Sequence, residues 1–398
     1  MKEGWEIKKL KDIGETITGN TPSTKDSANF GDYIPFVKPA HFNLNGTINS
    51  RESGLSEKGL KTSRLIKANS ILMVCIGATI GKTGYTDIPV TANQQINALT
   101  PSKEFEPRYF YYALNSDIFF KKIIHGSSQA TLPIINKSKW ENLTVSFPKS
   151  ITEQQRIVAI LDEAFAAIDK AKENVELNMR NAKELFESEL NSIFENKGDG
   201  WVEKKLKDVG ATITGNTPST KDTANFGDYI PFVKPAHFNL DGTINSEESG
   251  LSEKGLKFSR LIKANSILMV CIGATIGKTG YTEIPVTSNQ QINALTPSKE
   301  FEPRYFYYAL ISESFFKKVI HGSSQATLPI INKSKWENLT VSFPKELKQQ
   351  QKIVEQLDRL SVEIRKLEEG YRKKLEGVEE LKKSMLERAF RGKLISEP

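Results

Sequence analysis

The chain has 398 residues, 55 Lys and Arg against 48 Asp and Glu, and a net charge of +7. That length leaves room for two or three domains, and no run reaches the roughly 18 apolar residues that cross a membrane. The start, Met1-Lys-Glu-Gly-Trp5, lacks the pattern of a secretion signal, so the expected compartment is the cytosol, with no membrane partner. Its two cysteines, Cys75 and Cys271, stand in apolar runs and read as buried strand residues rather than as a disulfide or metal site.

In chain order, residues 1–150 read as a mixed strand and helix globule, 151–197 as a long helix, 198–345 as a second globule and 346–398 as a second long helix. Residues 5–149 return as 201–345 with about nine positions in ten identical, so one folding unit is written twice. Within the first copy, the polar loop Thr18-Gly-Asn-Thr-Pro-Ser-Thr-Lys25 comes first and Lys38-Pro-Ala-His41 follows. A strand then runs through Ser70 to Ile76 into the turn Gly77-Ala-Thr-Ile-Gly81-Lys82-Thr83. Asn93-Gln94-Gln95 and Gly126-Ser-Ser-Gln-Ala-Thr131 are further polar segments, and Asn136 to Trp140 with Leu143 to Phe147 closes the globule.

The helical segments are rich in Glu, Lys, Leu and Gln. In the first, Ile157, Leu161, Ala164, Ile168, Ala171, Val175, Ala182 and Leu185 form a heptad seam interrupted at Asn178. The second repeats it at Ile353, Leu357, Leu360, Ile364, Leu367, Tyr371, Val378, Leu381 and Met385, interrupted at Lys374. Matching interruptions predict that the two helices pair with each other, antiparallel, with the Gly198-Asp-Gly200 link supplying the turn. Each helix of about 45 residues is a rod of roughly 68 Å. The expected fold class is α+β: two tandem α/β globules separated by an intramolecular coiled coil, related by a pseudo-twofold axis.

Charge is uneven. Residues 1–150 carry 19 basic against 13 acidic groups and 198–345 carry 17 against 14, so the positive excess sits mostly on the globules, as a polyanion partner requires. The turn at Gly77 is one residue too short for a phosphate-binding loop, which leaves either a glycine-permitted turn or an approach of its backbone and Lys82 to a DNA phosphate. No dinucleotide or methyl-donor fingerprint and no His/Cys cluster is present, so no catalytic site, metal or cofactor is expected on this chain.

The polar loops carry the chemistry of DNA reading: amide side chains for adenine edges, Lys and Arg for guanine and phosphate, hydroxyls for phosphate. The candidates in the first copy are Thr21, Ser23, Lys25, Lys38, His41, Arg64, Thr79, Lys82, Asn93, Gln94, Gln95, Ser128 and Gln129. Their counterparts are Thr217, Ser219, Lys221, Lys234, His237, Arg260, Thr275, Lys278, Asn289, Gln290, Gln291, Ser324 and Gln325. Among them Gln95 and Gln291 are expected to set base preference, and Lys38 and Lys234 to contribute affinity.

The order of Ile17 to Ser23, Ile34-Pro-Phe-Val-Lys-Pro39, Gly77 to Lys82, Asn93-Gln-Gln95 and Glu153-Gln-Gln-Arg-Ile-Val-Ala-Ile-Leu-Asp162 resembles the specificity subunit of type I restriction-modification systems. The last segment is echoed by Gln349 to Asp358, and Leu381 to Leu394 is similar to that family's C-terminal helix end. The resemblance implies two target-recognition domains on a bipartite double-stranded DNA site. It also implies two docked modification (methyltransferase) subunits and partner restriction subunits. Methyl transfer to adenine N6, S-adenosylmethionine, ATP and cleavage would then all belong to the partners. The two recognition domains of that family usually differ; here they are nearly identical, so an interrupted palindrome is expected. The differing pairs Arg51 with Glu247 and Thr62 with Phe258 are expected to lie outside the reading surface, as are residues 115–118 with 311–314. A type II-like specificity subunit and a non-catalytic coiled-coil scaffold are the alternatives.

Overall fold

The computed structural model describes residues 3–43, 46–128, 132–239, 242–324 and 328–394. The chain divides into two compact units, residues 1–175 with 372–398 and residues 176–371. The strands of the first globule are β1 (Trp5–Lys9), β2 (Gly14–Thr18), β3 (Phe30–Val37), β4 (Gly54–Leu55), β5 (Ser70–Val74), β6 (Thr83–Thr86), β7 (Thr91–Ala92), β8 (Ile96–Pro101) and β9 (Thr144–Pro148). Its helices are α1 (Glu57–Lys61), α2 (Pro107–Leu114), α3 (Asp117–Gly126) and α4 (Lys137–Glu141), and the long α5 (Ile151–Glu195) follows.

The central sheet has the order β2-β8-β5-β6, all antiparallel. Strand β5 is buried along its whole length and apolar from Ile71 to Val74, as fits a strand covered on both faces. Ile71 and Met73 enter one core with the aromatic helix α2, and Leu72 and Val74 enter a second with Val37, Ile66, Val90 and Ile96. Alternate residues of a strand point to opposite faces, so this division follows from the pleat. A smaller sheet, β4-β3-β7, lies beside it, and β1 pairs with β9 so that the globule is closed where α5 begins. Every pairing recurs in the second globule, with the central order 210–214, 292–297, 266–270, 279–282. Cys75 and Cys271 are buried as expected, and burial pushes both thiols up to about 12.

Two side chains rivet α5 to the globule it leaves. The fully buried Gln154 accepts from the Glu106 backbone N–H at 3.0 Å and donates to the Pro148 carbonyl at 2.8 Å. Two turns on, Asp162 accepts from the Tyr112 hydroxyl and pairs with Arg108 at 2.8 Å. In the second unit Gln350 and Asp358 repeat both contacts, with Glu302, Pro344, Tyr308 and Arg304. The segments Glu153 to Asp162 and Gln349 to Asp358 are thus the joints between globule and rod.

Within each unit the two long helices, α5 and the C-terminal helix (Leu347–Phe390), run antiparallel. Lys172 meets Glu379 and Asp169 meets Lys382 in the first unit, and Lys183 meets Glu368 and Glu189 meets Gln356 in the second. Of the expected seam, Ile157, Leu161, Ile168, Leu357 and Ile364 are buried and Val175, Ile353 and Leu360 half-buried. Leu185, Leu367 and Leu381 are instead 58%, 48% and 51% exposed. The expected seam is therefore corrected in phase. From Leu161 its alternate positions lie four residues on rather than three, at Phe165, Lys172, Met179 and Phe186, with Glu368, Leu375 and Lys382 as the equivalents near the C-terminus. Asn178 and Lys374 are exposed, and Met179 and Leu375 beside them are half-buried. Two aromatic contacts of α5 match this phase: Phe165 packs against Tyr112 in the first unit and Phe186 against Tyr308 in the second.

Replacing Gln154 with Ala strands the Glu106 N–H and the Pro148 carbonyl, and thermal denaturation should register a loss of about 1–3 kcal/mol, whereas exposed Gln155→Ala should be neutral. On the corrected seam, Phe186→Ala should cost about 2 kcal/mol or more and Leu185→Ala about 0.5 kcal/mol or less.

Candidate nucleic-acid interface

The polar loops of each globule gather through direct hydrogen bonds. Gly19 ends β2 and brings its loop against the segment after β7, where its N–H donates to the Ile96 carbonyl at 3.0 Å. A Cβ on Gly19 would stand 2.3 Å from the Ala92 oxygen, so the close approach of the two loops requires glycine. Beside it, the Thr21 hydroxyl donates to Gln94 Oε1 at 2.7 Å. Asn20 clasps the loop after α1: its Nδ2 donates to the Thr62 carbonyl and its Oδ1 accepts from the Arg64 N–H, both at 2.8 Å. Arg64 Nη1 reaches the Thr18 carbonyl at 2.8 Å. Asn93 Nδ2 donates to Gln95 Oε1 at 2.9 Å, and Gln95 Nε2 faces the Ile76 carbonyl at 3.4 Å, which ties in the turn that follows.

The structure thus brings together Thr21, Arg64, Asn93, Gln94 and Gln95 directly. Lys38 joins through the Asn93 N–H on the Val37 carbonyl. Thr79 and Lys82 join through the turn, and Ser128 through the pairing of Ile134 with Ile76. Ser23 and Lys25 stand exposed at the far end of the first loop, where the Ser23 carbonyl accepts from Asn29 Nδ2 at 3.0 Å. Gln129 and Gln325 lie outside the described residues. The second copy holds the same frame: Thr217 to Gln290 at 2.8 Å, Asn289 to Gln291 at 2.9 Å, and Arg260 to the Thr214 carbonyl at 2.8 Å. Ser219, Lys221, Lys234 and Thr275 are exposed there, and Ser324 accepts from the Ile330 N–H.

Three of the sequence expectations change in this setting. Gln95 and Gln291 are half-buried, and their amides are engaged at both ends, so they position loops. Gln94 and Gln290 are exposed, and only their carbonyl oxygens have a partner among the described residues. His41 and His237 are only 6% and 5% exposed; each Nδ1 accepts from the backbone N–H of the preceding lysine, Lys38 or Lys234. Burial holds both imidazoles below the usual histidine range, which favours the neutral ring and a structural role in the turn. The turn at Gly77 is occupied internally: the Gly77 N–H donates to Pro133, Ile80 to Gly77, Gly81 to Val74 and Lys82 to Thr79. Those four amides are not open to a phosphate. The same bonds recur from Gly273 to Lys278, and Lys82 and Lys278 lie within 3.5 Å and 3.4 Å of the Phe42 and Phe238 carbonyls.

Charge distinguishes the loops from their surroundings. Lys58, Lys61 and Lys67 pair with Asp26, Glu57 and Glu15, whereas among the described residues Lys25, Lys38, Arg64 and Lys82 meet no carboxylate within 4 Å. Lys38 Nζ lies 5.5 Å over the Phe36 ring and Lys234 5.7 Å over Phe232, contacts that hold a cation without neutralising it. The loops therefore combine unneutralised cations with exposed amides and hydroxyls, the donor set that contacts phosphates and base edges. Sequence reasoning left Asn20 and Asn216 off the list of candidates, although they clasp two loops of the cluster. Exposed Leu65 (46%) and Leu132 (51%) were missed as well, and an apolar residue in a polar segment is the one signal that could have found them.

Comparison with known proteins agrees with this geometry. The model of the type I restriction modification DNA specificity domain matches residues 2–179 and again 198–377. The MjaIX type I restriction enzyme specificity subunit of Methanocaldococcus jannaschii is 25% identical over 365 residues, 86% of this chain and 84% of that one. Among solved structures, one from work on complex assembly and conformational transition of the type I R-M system has a TM-score of 0.82 at 18% identity, covering 99% of each chain. The HsdS subunit from Thermoanaerobacter tengcongensis has a TM-score of 0.62 at 17% identity, covering 99% of this chain and 98% of its own. Those two likenesses share the fold. With the family model matched twice, once on each globule, the chain belongs to the DNA-specificity subunit family of type I restriction-modification systems, the non-catalytic DNA-recognising component of such complexes.

Proposed function

We propose that the two loop clusters read one DNA half-site each, that the half-sites are the same sequence on opposite strands, and that the site as a whole is an interrupted palindrome. The observation that carries this reading is the identity of the loop residues. From Thr18 to Lys25, at Lys38 and Arg64, and from Asn93 to Gln95, every residue recurs in the second copy, held by nearly the same hydrogen bonds. Lys25, Lys38 and Arg64 supply phosphate contacts, and Gln94, with Gln290 in the second copy, supplies an amide to a base edge. Two modification subunits dock on this subunit and carry S-adenosylmethionine, and each half-site holds the adenine that one of them methylates. A restriction subunit would bring ATP. The complex works in the cytosol, and the long helices set the gap between half-sites.

Two paired substitutions separate affinity from reading when tested in the complex assembled with modification subunits. K38A with K234A should weaken binding to all sequences alike and reduce the slope of log affinity against log salt by about 2, one counterion for each lost phosphate contact. Q94A with Q290A should leave that slope unchanged and lower discrimination at one base pair in each half-site by about 1–3 kcal/mol. A uniform loss of affinity in the glutamine variant would remove Gln94 from base reading.

A further inference from the structure

Among the described positions that differ between the copies, one pair has an exposed side chain inside the loop cluster: Thr62 and Phe258. The backbone frame is the same in both, since Asn20 Nδ2 donates to the Thr62 carbonyl at 2.8 Å and Asn216 Nδ2 to the Phe258 carbonyl at 2.7 Å. What changes is the wiring around it. Thr62 turns its hydroxyl back to the Gly59 carbonyl at 3.1 Å and caps the short helix, which Phe258 cannot do. In the first copy Asn20 Oδ1 accepts from the Arg64 N–H, whereas Asn216 Oδ1 is buried without a partner and Ser259 donates instead to the Asn216 carbonyl at 3.1 Å. Phe258 itself stands 61% exposed, two residues before an arginine whose guanidinium is anchored as in the other copy.

A phenyl ring exposed to water at the rim of a polar, cationic cluster has a natural counterpart on DNA, the thymine C5-methyl group, because apolar side chains contact that methyl in the major groove. We propose that Phe258 makes the two readers unequal. The second recognises a thymine at a position bordering its half-site, and the first, with Thr62, does not. This inference rests on the reading of the clusters as two equivalent half-site readers.

The inequality has a signature that follows from symmetry. A complex with one such reader can sit on a palindromic site in either orientation, so the preferences of the two flanks average. If covering one methyl improves binding about fourfold, a thymine on one flank should improve affinity about 2.5-fold and on both flanks about fourfold. With T62F, both readers carry the ring and the effects should multiply, to about fourfold and about sixteenfold. With F258T, the flanks should have no effect.

The test is competitive binding of the assembled complex, wild type, T62F and F258T, to a library randomised around both half-sites. Each substitution installs the residue that the other copy already accommodates, and thermal denaturation verifies folding. Additive flank effects in the wild type, multiplied in T62F and abolished in F258T, support the proposal. No flank dependence in the wild type, or one unchanged in F258T, overturns it and leaves the inverted half-sites standing. Selection of two unrelated half-sites overturns both it and the reading on which it rests.

Discussion

Everything in this chain depends on how a long exposed helix is joined to a compact globule. A helix that leaves a domain through a flexible link carries no positional information, but here the junction is buried and polar. Gln154 closes a backbone donor and a backbone acceptor that have no other outlet, and Asp162 takes the Tyr112 hydroxyl and Arg108 two turns later. A buried amide holds its place because leaving either group unpaired costs more than the bond contributes. Phe165 of the same helix packs against Tyr112, and in the second unit Phe186, farther along α5, packs against Tyr308. Globule and helix are thus joined in each unit by buried polar bonds and an aromatic contact.

Duplication gives this design its economy. A core covered on both faces of one sheet tolerates few changes, and the substitutions between copies that reach it are small ones: Ile13 with Val209 and Ile123 with Val319, each one methylene apart, and Ala92 with Ser288. The loops depend on the same frame, from Gly19 against the backbone of Ala92 to Asn20 across the loop after α1, and their residues are copied with it although Ala92 itself becomes Ser288. Difference collects where the frame allows it, at β1, at Arg51 with Glu247 and at the start of α3. Thr62 with Phe258, exposed, and Ala92 with Ser288, buried, are the exceptions, inside the cluster rather than outside it.

Much of the architecture was legible in the sequence, because the repeat, the charge distribution and the two helical segments are long-range patterns that need no coordinates. The phase of the helix seam was not. Apolar residues stand at steps of both three and four, as with Ala164 and Phe165 or Leu185 and Phe186, and the more buried one of each pair packs against Tyr112 or Tyr308, which are far away in sequence. The site showed the same division. The loops that gather were visible as polar clusters, but Gln94 and Gln95 are chemically equal until Asn93 and the Ile76 carbonyl engage one of them. His41 was indistinguishable from a ligand until Lys38 was seen to donate to it. The amides after Gly77 looked available because a sequence does not reveal which carbonyls close a turn.

The central claim is that one reader, present twice, addresses one half-site sequence twice. The most direct measurement is the map of methylated adenines in a host genome, by single-molecule sequencing, with this gene present and after its deletion. Loss of a single motif with two identical halves in inverted orientation and a fixed gap is the expected result. Loss of a motif whose halves are unrelated would show that nearly identical loop clusters read different bases, and would contradict the claim.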